Sequence, residues 1–302
     1  MMERRKFLKN LTLASGSLAL SNFSFGQQLT SIRKSKLVIL HTNDTHSHIE
    51  PFPANHSKFP GMGGVAKRDS LIQKIRGDED HVLLLDCGDI FQGTPYFNTF
   101  HGELEMKLMS KMGYDASTMG NHDFDIGLDG FLNAKRFANF PFLCANYDFS
   151  ETILKDQTQP YKIFKKGGLK IGVFGIGVEL KGLVPDDKFG NTKYLDPIDT
   201  ANRISMELNS KGCDLVICLS HLGYEYPNSV KVSDRVLASK TEFIHLILGG
   251  HSHTFLEKPT IEKNSVGNPV VINQVGWAGV NLGRIDIDFE RGLFIPNLVE
   301  VK

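Results

Sequence analysis

Five short polar segments each follow an apolar run: His41-Thr42-Asn43-Asp44-Thr45-His46, Asp86-Cys87-Gly88-Asp89, Gly120-Asn121-His122-Asp123, Ser220-His221 and Gly250-His251-Ser252-His253. Carboxylates, an amide oxygen and imidazoles in this mixture suit divalent cations. A carboxylate has two oxygens and can bridge two cations, whereas a neutral imidazole gives one lone pair to one. Asp89, released from the run 82–85 by the flexible Gly88, is therefore the expected bridge. Asp44 and His46 can hold one cation from a loop, and Asn121 can offer a neutral oxygen to a second. His122 is free to face a substrate. Asp125, three positions on, can accept a hydrogen bond from one of its ring nitrogens and leave the other to protonate a departing oxygen.

Each segment alone has a plainer reading, as an Asn/Asp turn, a helix cap or an incidental loop histidine. Asp86 is open between supporting a ligand and holding a turn, and Asp123 between capping, support and direct chemistry. The combination is what stands out, because His221, His251 and His253 add three imidazoles at two further strand ends. The chemistry expected of such a set is attack of a metal-activated water on phosphorus, with no protein nucleophile.

The elements that must position these residues follow from the hydrophobic pattern. Runs at 36–40, 82–85, 142–145, 170–176, 215–219 and 243–248 are continuously or nearly continuously apolar and read as strands buried on both faces. Helical patterns lie between several of them, at 65–75, 104–112, 130–140, 200–210 and 233–239. This alternation favours an α/β layered fold, in which parallel strands present their C-terminal ends together. Residues 269–273 and 280–289 alternate like strands and are expected to close a second sheet. Residues 51–64 form a Pro/Gly-rich excursion and 148–168 an irregular or hairpin-like insertion, while 180–192 and 224–231 are polar loops suited to shaping access. Trp277 reads as a packing residue rather than an entrance residue. Gly172-Val173-Phe174-Gly175-Ile176-Gly177 lacks the spacing of a dinucleotide loop, and no phosphate-binding P-loop occurs.

The 302 residues carry 34 Lys plus Arg against 34 Asp plus Glu, so no global field favours nucleic acid or a membrane. The four cysteines, at 87, 144, 213 and 218, lack zinc-ribbon spacing and read as free and buried. The chain starts with Arg4-Arg5-Lys6-Phe7-Leu8-Lys9, a small and apolar stretch over 11–20 and a Ser/Gly/Gln-rich exit. Residues 1–28 thus read as a twin-arginine signal, with the translocase as a partner and the periplasm or bacterial cell envelope as the destination. Residues 29–302 are expected to form a single catalytic domain.

From about residue 36 to 289, the chain resembles the calcineurin-like metallophosphoesterases, specifically the N-terminal catalytic domain of the 5'-nucleotidase family. The resemblance rests on Ile39-Leu40-His41-Thr42-Asn43-Asp44-Thr45-His46, Gly88-Asp89, Gly120-Asn121-His122-Asp123-Phe124-Asp125, His221 and Gly250-His251-Ser252-His253, in the family's order. It implies a four-layer α/β/β/α sandwich with one metal held by Asp44, His46, Asp89 and His253. The other would be held by Asp89, Asn121, His221 and His251, with His122 and Asp125 as the catalytic pair. Zn, Mn, Fe or Co would serve as the two divalent ions. Position 253 departs from the exported nucleotidases, where Gln is common, but His is usual in the wider group. The implied activity is two-metal phosphoester hydrolysis, foremost of 5'-nucleotide-like phosphomonoesters. The alternatives are a cyclic phosphodiesterase, a broad phosphatase, or a metal-binding subunit without activity of its own. The family's C-terminal nucleotide-recognition domain is expected to be absent from this chain and supplied, where needed, by a separately encoded partner.

Overall fold

The computed structural model describes residues 36–227, 231–289 and 293–302. The twin-arginine segment lies outside the described residues. In chain order the first half contains β1 (Lys36–Thr42), α1 (Val65–Asp78), β2 (Val82–Asp86), α2 (Pro95–Phe100), α3 (Glu103–Met112), β3 (Ala116–Ser117), a 3-10 turn (His122–Phe124) and α4 (Gly127–Lys135). Then follow β4 (Tyr147–Asp148), β5 (Tyr161–Lys166), β6 (Leu169–Gly177), α5 (Asp186–Phe189), β7 (Lys193–Tyr194), α6 (Pro197–Ser210) and β8 (Leu215–His221). The chain continues through α7 (Asp234–Lys240), β9 (Leu246–Gly249), β10 (Thr260–Lys263), β11 (Pro269–Asn273), β12 (Asn281–Asp288) and β13 (Leu293–Glu300).

These strands form a five-stranded sheet in the order β13-β12-β1-β2-β3 and a six-stranded sheet in the order β10-β11-β9-β8-β6-β5. Period-two alternation explains how the sheets stack. On β1, Leu37 and Ile39 join an inter-sheet core with Leu215 and Ile217 of β8, while Val38 and Leu40 face a core shared with Ile72 of α1 and Met106 of α3. On the other sheet, Val216 and Cys218 turn away from that inter-sheet core to pack with Ile204 and Leu208 of α6 and Leu237 of α7. The result is an α/β/β/α sandwich whose central strands are buried on both faces. The pairs β1–β2, β6–β8 and β8–β9 are parallel, so their C-terminal ends open on common edges of the two sheets.

Several boundaries differ from the sequence reading. Residues 142–145 form no regular strand; Phe142 and Leu143 make isolated bridges to Ser117 and Gln159. This segment crosses between layers, sending Phe142 to one helix-facing core, Leu143 to the inter-sheet core and Ala145 to the other helix-facing core. Strand β9 starts at Leu246 because the His245 ring accepts the Val216 N–H at 2.9 Å, taking a donor from the ladder. Helix α4 starts and ends earlier than the expected 130–140. Residues 269–273 and 280–289 do not close one sheet together: β11 pairs parallel with β9, whereas β12 pairs antiparallel with β1. The connection between them crosses from sheet to sheet on Gly276 and Gly279, both at positive φ, and carries Trp277. The 148–168 insertion contributes the β5–β6 hairpin. All four cysteines are free and buried, as expected, with Cys218 inside β8. Among the described residues, no helix is long and apolar enough to cross a membrane.

Candidate metal centre

The polar segments gather beyond the C-terminal ends of β1, β2, β8 and β9 and at the 3-10 turn. Ligand atoms of Asp44, His46, Asp89 and His253 all lie within 4.8 Å of one another, as do those of Asp89, His221 and His251. Asp89 belongs to both groups. His46 Nε2 lies 3.1 Å from His253 Nε2, and His253 Nε2 lies 3.4 Å from Asp44 Oδ1. In the other group, His221 Nε2 is 3.1 Å from Asp89 Oδ2.

Five of these side chains sit on backbone that glycine would favour: Asp44, His46, Asp89, His251 and His253 have φ of 49°, 46°, 54°, 73° and 51°. Left-handed conformations at non-glycine residues persist only where surrounding bonds fix them. Here the Asp44 N–H donates to the Gly88 carbonyl at 3.0 Å and the His46 N–H to the Asp89 carbonyl at 3.1 Å, locking the two loops together. The Asp44 carboxylate accepts the His251 N–H at 3.0 Å across the two sheets. Asp123 has a holding role: its carboxylate accepts the N–H groups of Gly120, Asp89, Ile90 and Phe91 at 2.8, 3.0, 3.0 and 3.3 Å. Burial, reinforced by Asp89, pushes its carboxyl up to about 7. Asp86 also holds the turn, accepting from the Gly88 N–H at 3.0 Å and from the Thr42 and Ser117 hydroxyls at 2.6 and 2.9 Å. Burial raises it to about 6 against those bonds.

Carbonyl oxygens set the imidazole tautomers. His46 Nδ1 lies 3.1 Å from the Phe91 carbonyl and His221 Nδ1 lies 2.6 Å from the Cys87 carbonyl. A carbonyl only accepts, so both Nδ1 atoms carry the hydrogen and both Nε2 atoms turn inward. Burial opposes charge on His221, but Asp89 and Asp44 outweigh it and push the ring up to about 10. Burial likewise opposes charge on Asp89, which the surrounding histidines nevertheless hold below the usual carboxylate range. Burial, helped by His221, lowers His251 to about 4 and leaves it neutral at pH 7, as a ligand requires.

The residues present fit a pair of divalent cations. Asn121 Oδ1 is buried without a hydrogen-bond partner, between Gly120, which packs against Asp89 and His221, and His122, whose N–H donates to Asp89 Oδ1 at 2.8 Å. Two inward imidazole nitrogens 3.1 Å apart also have the arrangement of ligands converging on one ion. The mixed N/O donor set suits Zn, Mn, Fe or Co. Beside the cluster, His122 Nδ1 lies 2.8 Å from Asp125 Oδ2. That bond raises the His122 ring above its ordinary range despite partial burial, and the ring stays 38% exposed to the cleft.

Three contributors escaped the sequence reading. Asn43 accepts the Val275 N–H at 3.0 Å and donates to the Gly276 carbonyl at 2.5 Å and to Asp44 Oδ2 at 2.6 Å. Gln274 donates to the Gly250 carbonyl at 2.7 Å and accepts the Thr254 N–H at 2.5 Å, bracing the His251–His253 loop from both sides. Gly120 is required by space rather than φ, since a Cβ there would lie 2.2 Å from Asp89 Oδ1. Trp277 is half-buried and stacks its indole on the exposed His253 ring, with centroids 5.7 Å apart and planes 7° from parallel. It therefore packs as expected, but against a candidate ligand.

A two-sheet sandwich with a shared carboxylate among histidines at its strand ends defines a metallophosphoesterase-type centre. The calcineurin-like phosphoesterase family model matches residues 37–255, and the chain belongs to that family. It is 32% identical over 275 residues to a snake venom 5'-nucleotidase from Gloydius brevicauda, covering 84% of this chain and 45% of that protein. The crystal structure of a 5'-nucleotidase precursor from Thermus thermophilus superposes with a TM-score of 0.76 at 32% identity, covering 88% of this chain and 54% of that one. Calcineurin-like phosphoesterase YfkN from Bacillus subtilis superposes with a TM-score of 0.71 at 26% identity, over 88% of this chain and 91% of that one. The chain thus spans about half the length of the nucleotidases it matches.

Proposed function

We propose that this centre hydrolyses phosphomonoesters, foremost 5'-nucleotide-type substrates, with two divalent cations. Asp44, His46, Asp89 and His253 would hold one, and Asp89, Asn121, His221 and His251 the other. The observation that carries the reading is the membership of Asp89 in both ligand groups. The likeness to 5'-nucleotidases supports the substrate class. Such a cation pair supplies Lewis-acid charge to phosphate oxygens and acidifies the attacking water.

The chain's own part is positioning and proton transfer. Asp125 orients His122 through the 2.8 Å bond and keeps the ring protonated further into the neutral range. The remaining nitrogen, Nε2, donates its proton to the ester oxygen as the P–O bond to that oxygen breaks and the bond from phosphorus to the water oxygen forms. The twin-arginine pattern of Arg4-Arg5-Lys6-Phe7-Leu8-Lys9 supports export to the periplasm or cell envelope by the corresponding translocase, leaving residues 29–302 as the catalytic domain.

Phosphate release from matched 5'-nucleoside monophosphates, 2',3'-cyclic nucleotides and non-nucleotide esters tests the activity. Preference for the monophosphates is expected. Turnover of cyclic esters alone would move the substrate class, and none in protein carrying two metals would refute hydrolysis. Cell fractionation after replacing Arg4 and Arg5 together with lysines tests export, because the variant is expected to stay in the cytoplasm.

A further inference from the structure

Beneath the loop that carries Asp44 and His46 lies a small cavity that this mechanism does not use. Thr45, Ser47, His48 and Ile49 of the loop line it, with Arg68 of α1 and Glu105 of α3. Arg68, Glu105 and Ser47 are only 3%, 3% and 2% exposed. Even so, no hydrogen bond of good geometry reaches Arg68 Nε or Nη1, either carboxylate oxygen of Glu105 or the Ser47 hydroxyl, although Ser47 lies close enough to Glu105 to favour its charged form. Five unpartnered polar atoms of opposite character around one void call for a bridging group, because buried polar groups are almost always paired. The void gives about 10 Å³ to the centre of a water molecule, which is room for about one water.

We propose that this cavity encloses one structural water joining Arg68, Glu105 and Ser47, and that Arg68 and Glu105 are positioning residues for the metal-binding loop. A single water satisfies the set. It accepts from the Arg68 guanidinium and donates one hydrogen to the Glu105 carboxylate and the other to the Ser47 oxygen, leaving the Ser47 hydrogen for Glu105. An apolar occupant would leave both ionisable groups unpaired.

The loop above needs such a support. Ser47 continues the left-handed backbone of Asp44 and His46, with φ of 54°, and is the member of that trio whose side chain faces the cavity. Its N–H and carbonyl are already fixed, by the Ile90 carbonyl at 2.9 Å and the Thr94 hydroxyl at 2.7 Å, so its hydroxyl is the remaining tie to α1 and α3. The chain also makes room for Arg68: a Cβ on Gly279 would lie 1.8 Å from Nη1.

The positioning role rests on the two-metal reading, whereas the water does not. A crystal structure at a resolution that shows waters is expected to place one within hydrogen-bonding distance of Arg68, Glu105 and Ser47. A dry cavity, or a direct Arg68–Glu105 ion pair closing it, would overturn the water. Calorimetric titration with Mn²⁺ tests the second part without any substrate. Glu105→Leu is expected to weaken Mn²⁺ binding at least tenfold, while Glu105→Gln, which keeps hydrogen-bonding capacity, stays within about threefold of the parent. Ser47→Ala serves where the leucine variant does not fold, with an expected weakening of at least threefold. Parent-like Mn²⁺ affinity in the leucine variant, or in Ser47→Ala when that is the folded one, would overturn the positioning role. Failure of the parent itself to bind Mn²⁺ would refute the two-metal reading and, with it, positioning for metal, while the density still decides the water.

Discussion

Replacing Gly120 with alanine puts a methyl group between the two ligand sets. The backbone does not forbid it, since Gly120 is not among the positive-φ glycines. Space does: the new Cβ would meet Asp89 Oδ1 at 2.2 Å, the Asp89 backbone nitrogen at 2.6 Å and His221 Cε1 at 2.6 Å. Ordinary contact begins near 3.5 Å, so something must move by about 1 Å. The Asp89 side chain can rotate, but its backbone nitrogen is pinned to Asp123 Oδ2 at 3.0 Å and the His221 ring to the Cys87 carbonyl. Overpacking of this kind costs roughly 1–3 kcal/mol, and a misplacement of about 1 Å at a reacting centre costs roughly 10²-fold in rate. We therefore expect Gly120→Ala to fold with reduced stability, to hold less than two equivalents of metal after dialysis, and to release phosphate about 100 times more slowly. Gly77→Ala in α1, where nothing lies within 4 Å of the added methyl, is the control. It should be neutral or stabilising by about 0.5 kcal/mol, with an unchanged rate. A Gly120→Ala protein with full metal content and parental turnover would refute the steric argument.

Further outcomes follow from the same geometry. His122→Asn should retain both metals and lose about 10²- to 10⁴-fold in turnover, the usual worth of a positioned acid; equal loss of metal and rate would make the ring a ligand instead. His41 is fully buried, and burial lowers its ring from 6.5 to about 3, so the folded state keeps it neutral. That stabilisation is complete above about pH 6.5, falls as acid protonates the unfolded chain, and is exhausted near pH 3. Between about pH 7 and pH 4 the parent should lose about 3 kcal/mol more unfolding free energy than His41→Leu, and denaturant titrations giving parallel pH profiles would contradict it. Trp277→Ala removes the stack on His253, worth about 0.5–1.5 kcal/mol, and should weaken metal binding about 2- to 10-fold by calorimetry. An unchanged affinity would show the stack to be idle.

The layers were legible because β1, β2, β8 and β9 each carry an uninterrupted apolar run, the pattern of strands covered on both faces. The 142–145 run has the same composition but distributes its side chains among three cores, which a one-dimensional pattern cannot register. The separation of β11 from β12 was hidden for a related reason: the sheet a strand joins is set by the path of 274–280, not by the strands' own residues. The candidate ligands stood out because residue types that bind metal recur at, or a few residues beyond, one strand end after another. Asn43 and Gln274 did not, although both lie in segments rich in polar residues. The work of Asn43 depends on Val275 and Gly276, more than 200 positions away, and Asn or Gln in a loop looks the same whether it braces a site or meets solvent. Arg68 and Glu105 were concealed by helices α1 and α3, whose charged residues ordinarily face water.

The two-metal reading stands or falls on Asp89 joining both metal positions. Anomalous diffraction from crystals soaked in Mn²⁺ tests it most directly. Two peaks about 3.5–4 Å apart are expected, with the Asp89 carboxylate between them, Asp44, His46 and His253 around one, and Asn121, His221 and His251 around the other. A single peak, or two that Asp89 does not share, would contradict it.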